Sequence, residues 1–572
     1  TGNQNTAIGR FALAVNTTGE KNVAVGALAL DANITGTNNT GVGFNALGAN
    51  TTGGNTAFGK SALEANTTGN GTAVGIDSLK ANTTGVQNVA LGAFALEANT
   101  TASNNTAVGY LALRVNTTGA ENSAFGTFAL DANTTGQFNT ALGRGSLSEN
   151  TTASNNTAVG YNALVLNTTG SNLVGIGTTA LTTNTTGTSN VAVGLEALKL
   201  NTTGSNNVGI GQEALQQNTT ANNNTGVGHN ALKANTTGTF NSAVGALALD
   251  ANTTGTENVA VGANSLSGNT TGAGNTAVGQ DTLNANTTAN ENTAIGFVAL
   301  QVNTTGASNV AIGSRALDAN TTASNNTAVG YNALTANTTA DNNTAVGHHS
   351  LRANTTGAQN VAVGAFALDA MSTGNNNTAV GYNALTNATG FENTALGREA
   401  GSNLSSGSNN LFLGFDSGTA GSPSGSVSSG SNNVCLGDNN ISSLFCADTS
   451  ISSSDSRDKT DVTSFNIGLA WINALRPVTY RWDRRTWYGT DEEPFGTPDG
   501  SKKRDRLHIG FLAQEALEVE KANGYGTSND DSLVVNLTDD GMSYGMKYER
   551  LVPILVNAIK ELSAKVTALE AG

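Results

Sequence analysis

Residues 451–462, ISSSDSRDKTDV, set Ser452, Ser453, Ser454 and Ser456 beside Asp455, Arg457 and Lys459. A serine hydroxyl is a weak nucleophile at neutral pH and becomes reactive through an adjacent base. A lysine serves as that base when burial or a neighbouring cation lowers its pKa, and Arg457 could supply the cation. The same residues also read as a serine-rich linker in which Asp455 or Ser456 caps the start of a short helix.

Other chemistry-bearing residues are sparse. Asp31, Glu64, Glu97, Asp131, Asp250, Asp318 and Asp369 occupy one position of a repeat. Paired carboxylates could hydrolyse glycosidic bonds. The equivalent positions elsewhere hold Lys80, Arg114, Lys199, Thr335 and Arg352, so a solvated face is the expectation. Cys435 and Cys446 could pair in an oxidising setting or stay as buried thiols. His229, His348, His349 and His508 lie far along the chain from both cysteines, no spacing fits a metal site, and no cofactor is expected.

These residues sit on a chain of two characters. It has 572 residues, 70 of them glycine, with 12% charged and 5% aromatic residues. A net charge of −15 argues against a nucleic-acid partner, which wants a basic surface. No run of 18 apolar residues is present, so no membrane insertion is expected. The Thr-Gly-Asn start, without Met or a signal-like segment, reads as a fragment or processed end.

Residues 1–440 are a repeat. The glycine of NTAVG-like segments recurs from Gly9 to Gly437 in 26 turns, nearly all 17 residues long, on the frame N-T-A-V-G-x-x-A-L-x-A-N-T-T-G-x-x. That period is too short for a helix pair, and NTTG interrupts any continuous helix. It suits one coil of a β-solenoid. NTAVG predicts a strand with Thr and Val on one side, Asn and Ala on the other. Val and the Leu of NAL are expected to fill the coil, leaving a small Ala–Gly face on which another chain can pack. ALxAN could be a second strand or a helical turn, and NTTG a turn whose Asn and Gly take positive φ. Stacked at the interstrand spacing, 26 coils give a rod of roughly 120 Å.

NTT is also an N-glycosylation sequon. It falls at Asn16, Asn50, Asn66, Asn82, Asn99, Asn116, Asn133, Asn150, Asn167, Asn184, Asn201, Asn218, Asn235, Asn252, Asn269, Asn286, Asn303, Asn320, Asn337 and Asn354. The alternative is a structural Asn/Thr ladder stacked coil on coil. NTAVG with NAL resembles the repeats of trimeric autotransporter adhesin heads and of phage tail-fibre shafts. That resemblance implies a parallel, homotrimeric β-roll.

Residues 402–433 loosen into Ser/Gly loops around Pro423, and 441–453 form a junction. After Ser453 come 34 of the 67 charged residues and all three tryptophans, so 454–572 is a separate domain. FNIGLAWINALRPVTYRWD reads as helix, proline stop and strand; LHIGFLAQEALE as strand into helix; SLVVNLTDDGMSYGMKYERL as a hairpin with its turn at DDG. At the end, Leu555, Ile559, Leu562, Val566 and Leu569 form an a/d seam, a coiled coil over about 551–570. A core helix of a monomer would show the same stripe.

SDSRDK at 454–459, RPVTYRWD at 476–483, HIGFLAQEA at 508–516 and YERLVPILVNAIKEL at 548–562 together resemble the C-terminal intramolecular chaperone of phage endosialidases and tail fibres. The resemblance implies a small α+β domain that trimerises, templates the β-rich stalk and releases itself. It assigns Ser454 as nucleophile and Lys459 as base, with Asp455 and Arg457 as supporting neighbours and the cut between Ser453 and Ser454. The expected protein is a mainly β fibre shaft on a virion or cell surface, its domain a single-turnover serine peptidase. The alternatives are an adhesin that binds a receptor or glycan along the repeat face and a polysaccharide depolymerase.

Overall fold

The computed structural model describes residues 2–441, 462–489, 493, 495–528, 531–537 and 544–572. The chain forms two compact units, Thr1–Asn326 and Thr327–Gly572. The first holds strands β1 (Thr6–Ile8) to β19 (Val310–Ile312), one per coil. The second opens with seven more, β20 (Thr327–Val329) to β26 (Val434–Leu436). Within each unit every strand pairs in parallel with the strand one coil away, as β12 (Val191–Val193) does with β13 (Val208–Ile210), Ala192 facing Gly209. Both units are therefore parallel β-solenoids, as the repeat predicts.

The coil interior differs from the expectation. In β12 it is Ala192 that is fully buried, while Val191 and Val193 face outward and stay half-exposed. Asn190, Ala192, Ala197, Leu198 and Asn201 fill the coil. A strand of three residues places its middle side chain opposite its outer two. Two buried asparagines per coil take the room that a valine would need. The small alanine row is thus the inner wall, not an outer face for another chain.

The ALxAN segment is neither strand nor helical turn. It is a run of turns in which Leu198 (φ 50°) is left-handed, as is Glu196 (φ 58°) just before the segment. Leucine resists this conformation by about 1–2 kcal/mol. Neighbouring coils offset it, because Glu196 N–H donates to Thr178 O behind at 3.1 Å and Leu198 N–H to Ala214 O ahead at 2.9 Å. The NTTG turn keeps negative φ at its Asn and needs no positive φ at its Gly. The strand-ending glycine does need it: at Gly194 φ is 138°, and a Cβ would strike the carbonyl oxygen of Gly211.

After the solenoid, the second unit carries helix α1 (Leu469–Ala474), β27 (Val478–Tyr480), β28 (His508–Gly510), α2 (Ala513–Ala522), β29 (Val535–Leu537), β30 (Tyr544–Met546) and α3 (Leu551–Ala571). β27 and β28 are antiparallel, as are β29 and β30. Trp471, Leu475, Ala516, Val534, Val535, Leu551 and Ile554 form the core. The helix, proline stop, strand, helix and hairpin follow the expected order, and the hairpin turn lies outside the described residues. No helix among the described residues is long and apolar enough to cross a membrane.

Candidate functional site

Ser453, Ser454, Asp455, Arg457, Lys459 and Cys446 lie outside the described residues; Cys435 is buried in β26. What the structure shows is how the chain just beyond residue 461 is held. Asn557 on α3 donates from Nδ2 to Phe465 O at 2.7 Å. Glu561, one turn further, accepts from Leu469 N–H at 3.1 Å and so satisfies an orphan donor at the start of α1. Residues 465–469, which lead out of the serine motif, are therefore clamped to the C-terminal helix.

The other motifs converge. RPVTYRWD and HIGFLAQEA pair through β27 and β28, with Tyr480 opposite His508 and their rings stacked at 5.5 Å. Arg476 forks onto the Glu515 carboxylate, and that hydrogen-bonded guanidinium lowers the Glu515 pKa. Phe511 N–H donates to the Tyr548 hydroxyl at 3.2 Å, tying HIGFLAQEA to YERLVPILVNAIKEL.

Glu520 was not singled out in the sequence. It is fully buried, and its carboxylate accepts from Ser532 Oγ (3.0 Å) and from the N–H groups of Leu533 (3.0 Å), Val534 (2.5 Å) and Val535 (2.8 Å). It pins the hairpin to α2. Its spacing of four from buried Ala516 was the available signal, since both share the inner helix face.

Arg484 stands over the Trp482 ring at 4.4 Å and donates to Asn439 Oδ1 at 2.9 Å, linking the domain to the last coil. Burial, and secondarily Arg504, lower its pKa. A cavity of about 370 Å³ opens beside it, lined by Pro423, Asn439, Trp482 and Phe495 among others.

On α3, Leu551, Ile554 and Ala558 turn into the core. The seam residues Leu555, Ile559, Leu562, Val566 and Leu569 all stay exposed, Ile559 by 66% and Leu569 by 82%. The seam is thus a second stripe, distinct from the one that the domain buries.

Along the solenoid, Asn50 and every later NTT asparagine is buried; Asn16, in the first coil, is only partly so. Asn201 donates from Nδ2 to Asn184 Oδ1 (2.8 Å) and Gly204 O (2.9 Å), and its Oδ1 accepts from Asn218 Nδ2 (2.8 Å). Thr185 Oγ1 donates to Thr202 O one coil on at 3.1 Å. The nitrogen to which a glycan would be joined is committed to this ladder. The acidic row carries ion pairs, Lys199–Glu196 at 2.8 Å and Arg352–Asp369 at 2.9 Å. Burial raises the pKa of Asp131 and Asp250.

Residues 454–525 match the model of the peptidase S74 family, the chaperone of endosialidase. The chain carries an endosialidase-type chaperone domain behind a β-solenoid shaft, an arrangement similar to that of tail fibres. The match begins at Ser454 and ends before the hairpin and α3. No curated protein and no solved structure matches the chain significantly.

Proposed function

We propose that this protein is a homotrimeric fibre shaft, of a virion tail fibre or an extracellular filament, whose C-terminal domain registers three chains and then cuts itself free. The observation that carries this reading is the family match starting at Ser454, between a solenoid and a domain that ends in an exposed apolar seam. The Ser454 hydroxyl attacks the Ser453 carbonyl carbon while Lys459 takes its proton. The C–N bond breaks, the Ser454 nitrogen receives that proton, and an ester joins Ser453 to Ser454 Oγ. Water hydrolyses the ester, leaving a carboxylate on Ser453 and a free amine and hydroxyl on Ser454. Asp455 and Arg457 would tune the lysine and orient the loop.

Two surfaces support self-association. One is the α3 seam. The other is the outer strand face, where Val193, Ile210, Val244, Val261, Ile295 and their counterparts place one aliphatic or phenylalanine side chain per coil, with no charge between. Monomeric proteins seldom leave a contiguous apolar surface of more than a few hundred Å². A second copy, with the same repeat, matches it coil for coil. The three chains therefore pack on valine faces rather than on the alanine faces expected from the pattern.

The test is intact mass and N-terminal sequencing of freshly expressed chain. Fragments 1–453 and 454–572 are expected, with Ser454→Ala and Lys459→Ala both leaving an intact chain that still associates. A new N-terminus other than Ser454, or cleavage of Ser454→Ala, refutes the assignment.

A second reading, lateral glycan binding, draws on the ring column Tyr331, His348, His349, Phe366 and Tyr382 on successive coils of the second unit. Tyr331 and Tyr382 are exposed. A glycan array on the assembled shaft decides it, and loss of any signal in Tyr331→Ala would place the site.

A further inference from the structure

The rows that line the coil change character in the last solenoid coils of the second unit. Up to Asn354 the turn row is asparagine; the next four coils hold Met371, Ala388, Leu404 and Val427 there, all buried. The alanine row gives way to Phe412 and Cys435. The leucine row ends at Leu385 and continues as Gly401 and Gly418, both at positive φ. The Phe412 ring occupies the space those two missing side chains leave, since a Cβ on Gly401 would stand 2.7 Å from Phe412 Cδ2 and one on Gly418 would strike the ring as well.

This exchange alters what a coil needs from its neighbours. An asparagine coil is incomplete by itself. Asn354 Nδ2 donates to Gly357 O in its own coil at 2.9 Å, but its other partner, Asn337 Oδ1 at 3.0 Å, lies in the coil before. Forming such a coil alone buries polar groups without partners, which is costly. Met, Ala, Leu and Val add no such group, so these coils keep only the strand-row asparagines Asn377, Asn393 and Asn410, which still bond from coil to coil. At the boundary Asn354 Oδ1 is buried and accepts no hydrogen bond, because Met371 offers no donor. The ladder tolerates that orphan where its turn row becomes apolar, as it does the buried, unpartnered Oδ1 of Asn33 in the first unit.

We infer that residues 371–436 are the nucleation segment of the solenoid, and that coils form there first and spread towards lower residue numbers. Stability in stacked repeats is a sum of coil and interface terms, so folding starts where an isolated coil is least unfavourable. Each coil added in this direction brings an Asn Oδ1 to a waiting Nδ2 whose first hydrogen bond is already made. The inference concerns the shaft's own core and stands whether or not Ser454 cleaves the chain.

Pulsed hydrogen exchange during refolding of the full chain tests it. Peptides within 371–436 should become protected first, and those within 157–326 about tenfold later or more. Leu404→Asn, which puts a ladder residue among apolar neighbours, should slow protection of the whole shaft by about tenfold. Leu198→Ala, an equally buried leucine in an asparagine coil, should change the folding rate less than about twofold and chiefly speed local opening. Protection of 157–326 before or together with 371–436 in the unmodified chain overturns the inference, even if the variants fail to fold. So does Leu198→Ala slowing folding as much as Leu404→Asn.

Discussion

Replacing Asn201 with leucine isolates the contribution of the ladder. The side chain is fully buried and makes three hydrogen bonds, to Asn184 Oδ1, to Gly204 O and from Asn218 Nδ2. Leucine removes all three without opening a large cavity. Gly204 O keeps the Asn190 Nδ2 donor at 2.7 Å. Asn218 Nδ2 keeps Ala221 O at 3.1 Å with its other hydrogen. Two groups are orphaned, Asn184 Oδ1 and one Asn218 N–H. At about 1–3 kcal/mol for each unsatisfied buried group, the coil should loosen by about 3 kcal/mol. Global unfolding of a long repeat is not a single two-state event, so a melting curve would blur the effect. Native-state hydrogen exchange reads it locally: peptides spanning 184–221 should exchange roughly a hundredfold faster, at 1.4 kcal/mol per tenfold. Peptides five or more coils away should be unchanged. Exchange within threefold of the unmodified chain would show that the ladder contributes nothing net. In material from the native source, an unmodified Asn201 peptide is expected, because the acceptor nitrogen is enclosed in the fold.

Asp416 has its carboxyl pKa pushed up to about 6 by burial, aided by a hydrogen bond and charge repulsion from Glu399. The folded state then holds a proton that the unfolded state releases near pH 4, so this group makes the last coils less stable as pH rises from about 4 to 6. Local exchange around 399–438 should therefore be slower at pH 5 than at pH 7 after correction for intrinsic rates, and Asp416→Asn should remove the difference. Leu562→Asp puts a charge in the α3 seam without touching the inner stripe of Leu551, Ile554 and Ala558. It should shift the chain from three copies to one by light scattering while leaving the domain's near-ultraviolet tryptophan signal intact; retention of three copies refutes the seam.

The solenoid was legible because its signal is repeated. A short strand, a turn and a glycine every 17 residues specify stacking even when each motif is weak. The tail was legible for a different reason: Pro477 and the alternating apolar runs mark its elements locally, and residues 454–525 match a known family. Which way each strand faces was not legible. Thr-Ala-Val has period two in either orientation, and only the competition for interior volume between valine and the two asparagine columns decides that alanine goes inside. The left-handed leucines escaped the pattern too, since no local preference favours that conformation; hydrogen bonds from the coils on either side impose it.

The sequence by itself determined the repeat, the parallel stacking that follows from it and the apolar stripe of the last helix. All of these are periodicities or contiguous motifs, and period and composition survive without coordinates. The tertiary structure decided that the NTT asparagine is a buried ladder, that Glu520 cages the hairpin, that Asn557 and Glu561 clamp residues 465–469, and that Phe412 fills the space left by Gly401 and Gly418. Each depends on groups 6 to 92 residues apart in the chain. Such pairings carry no local signature, because whether a polar side chain is satisfied or a void is filled is settled only when distant segments meet.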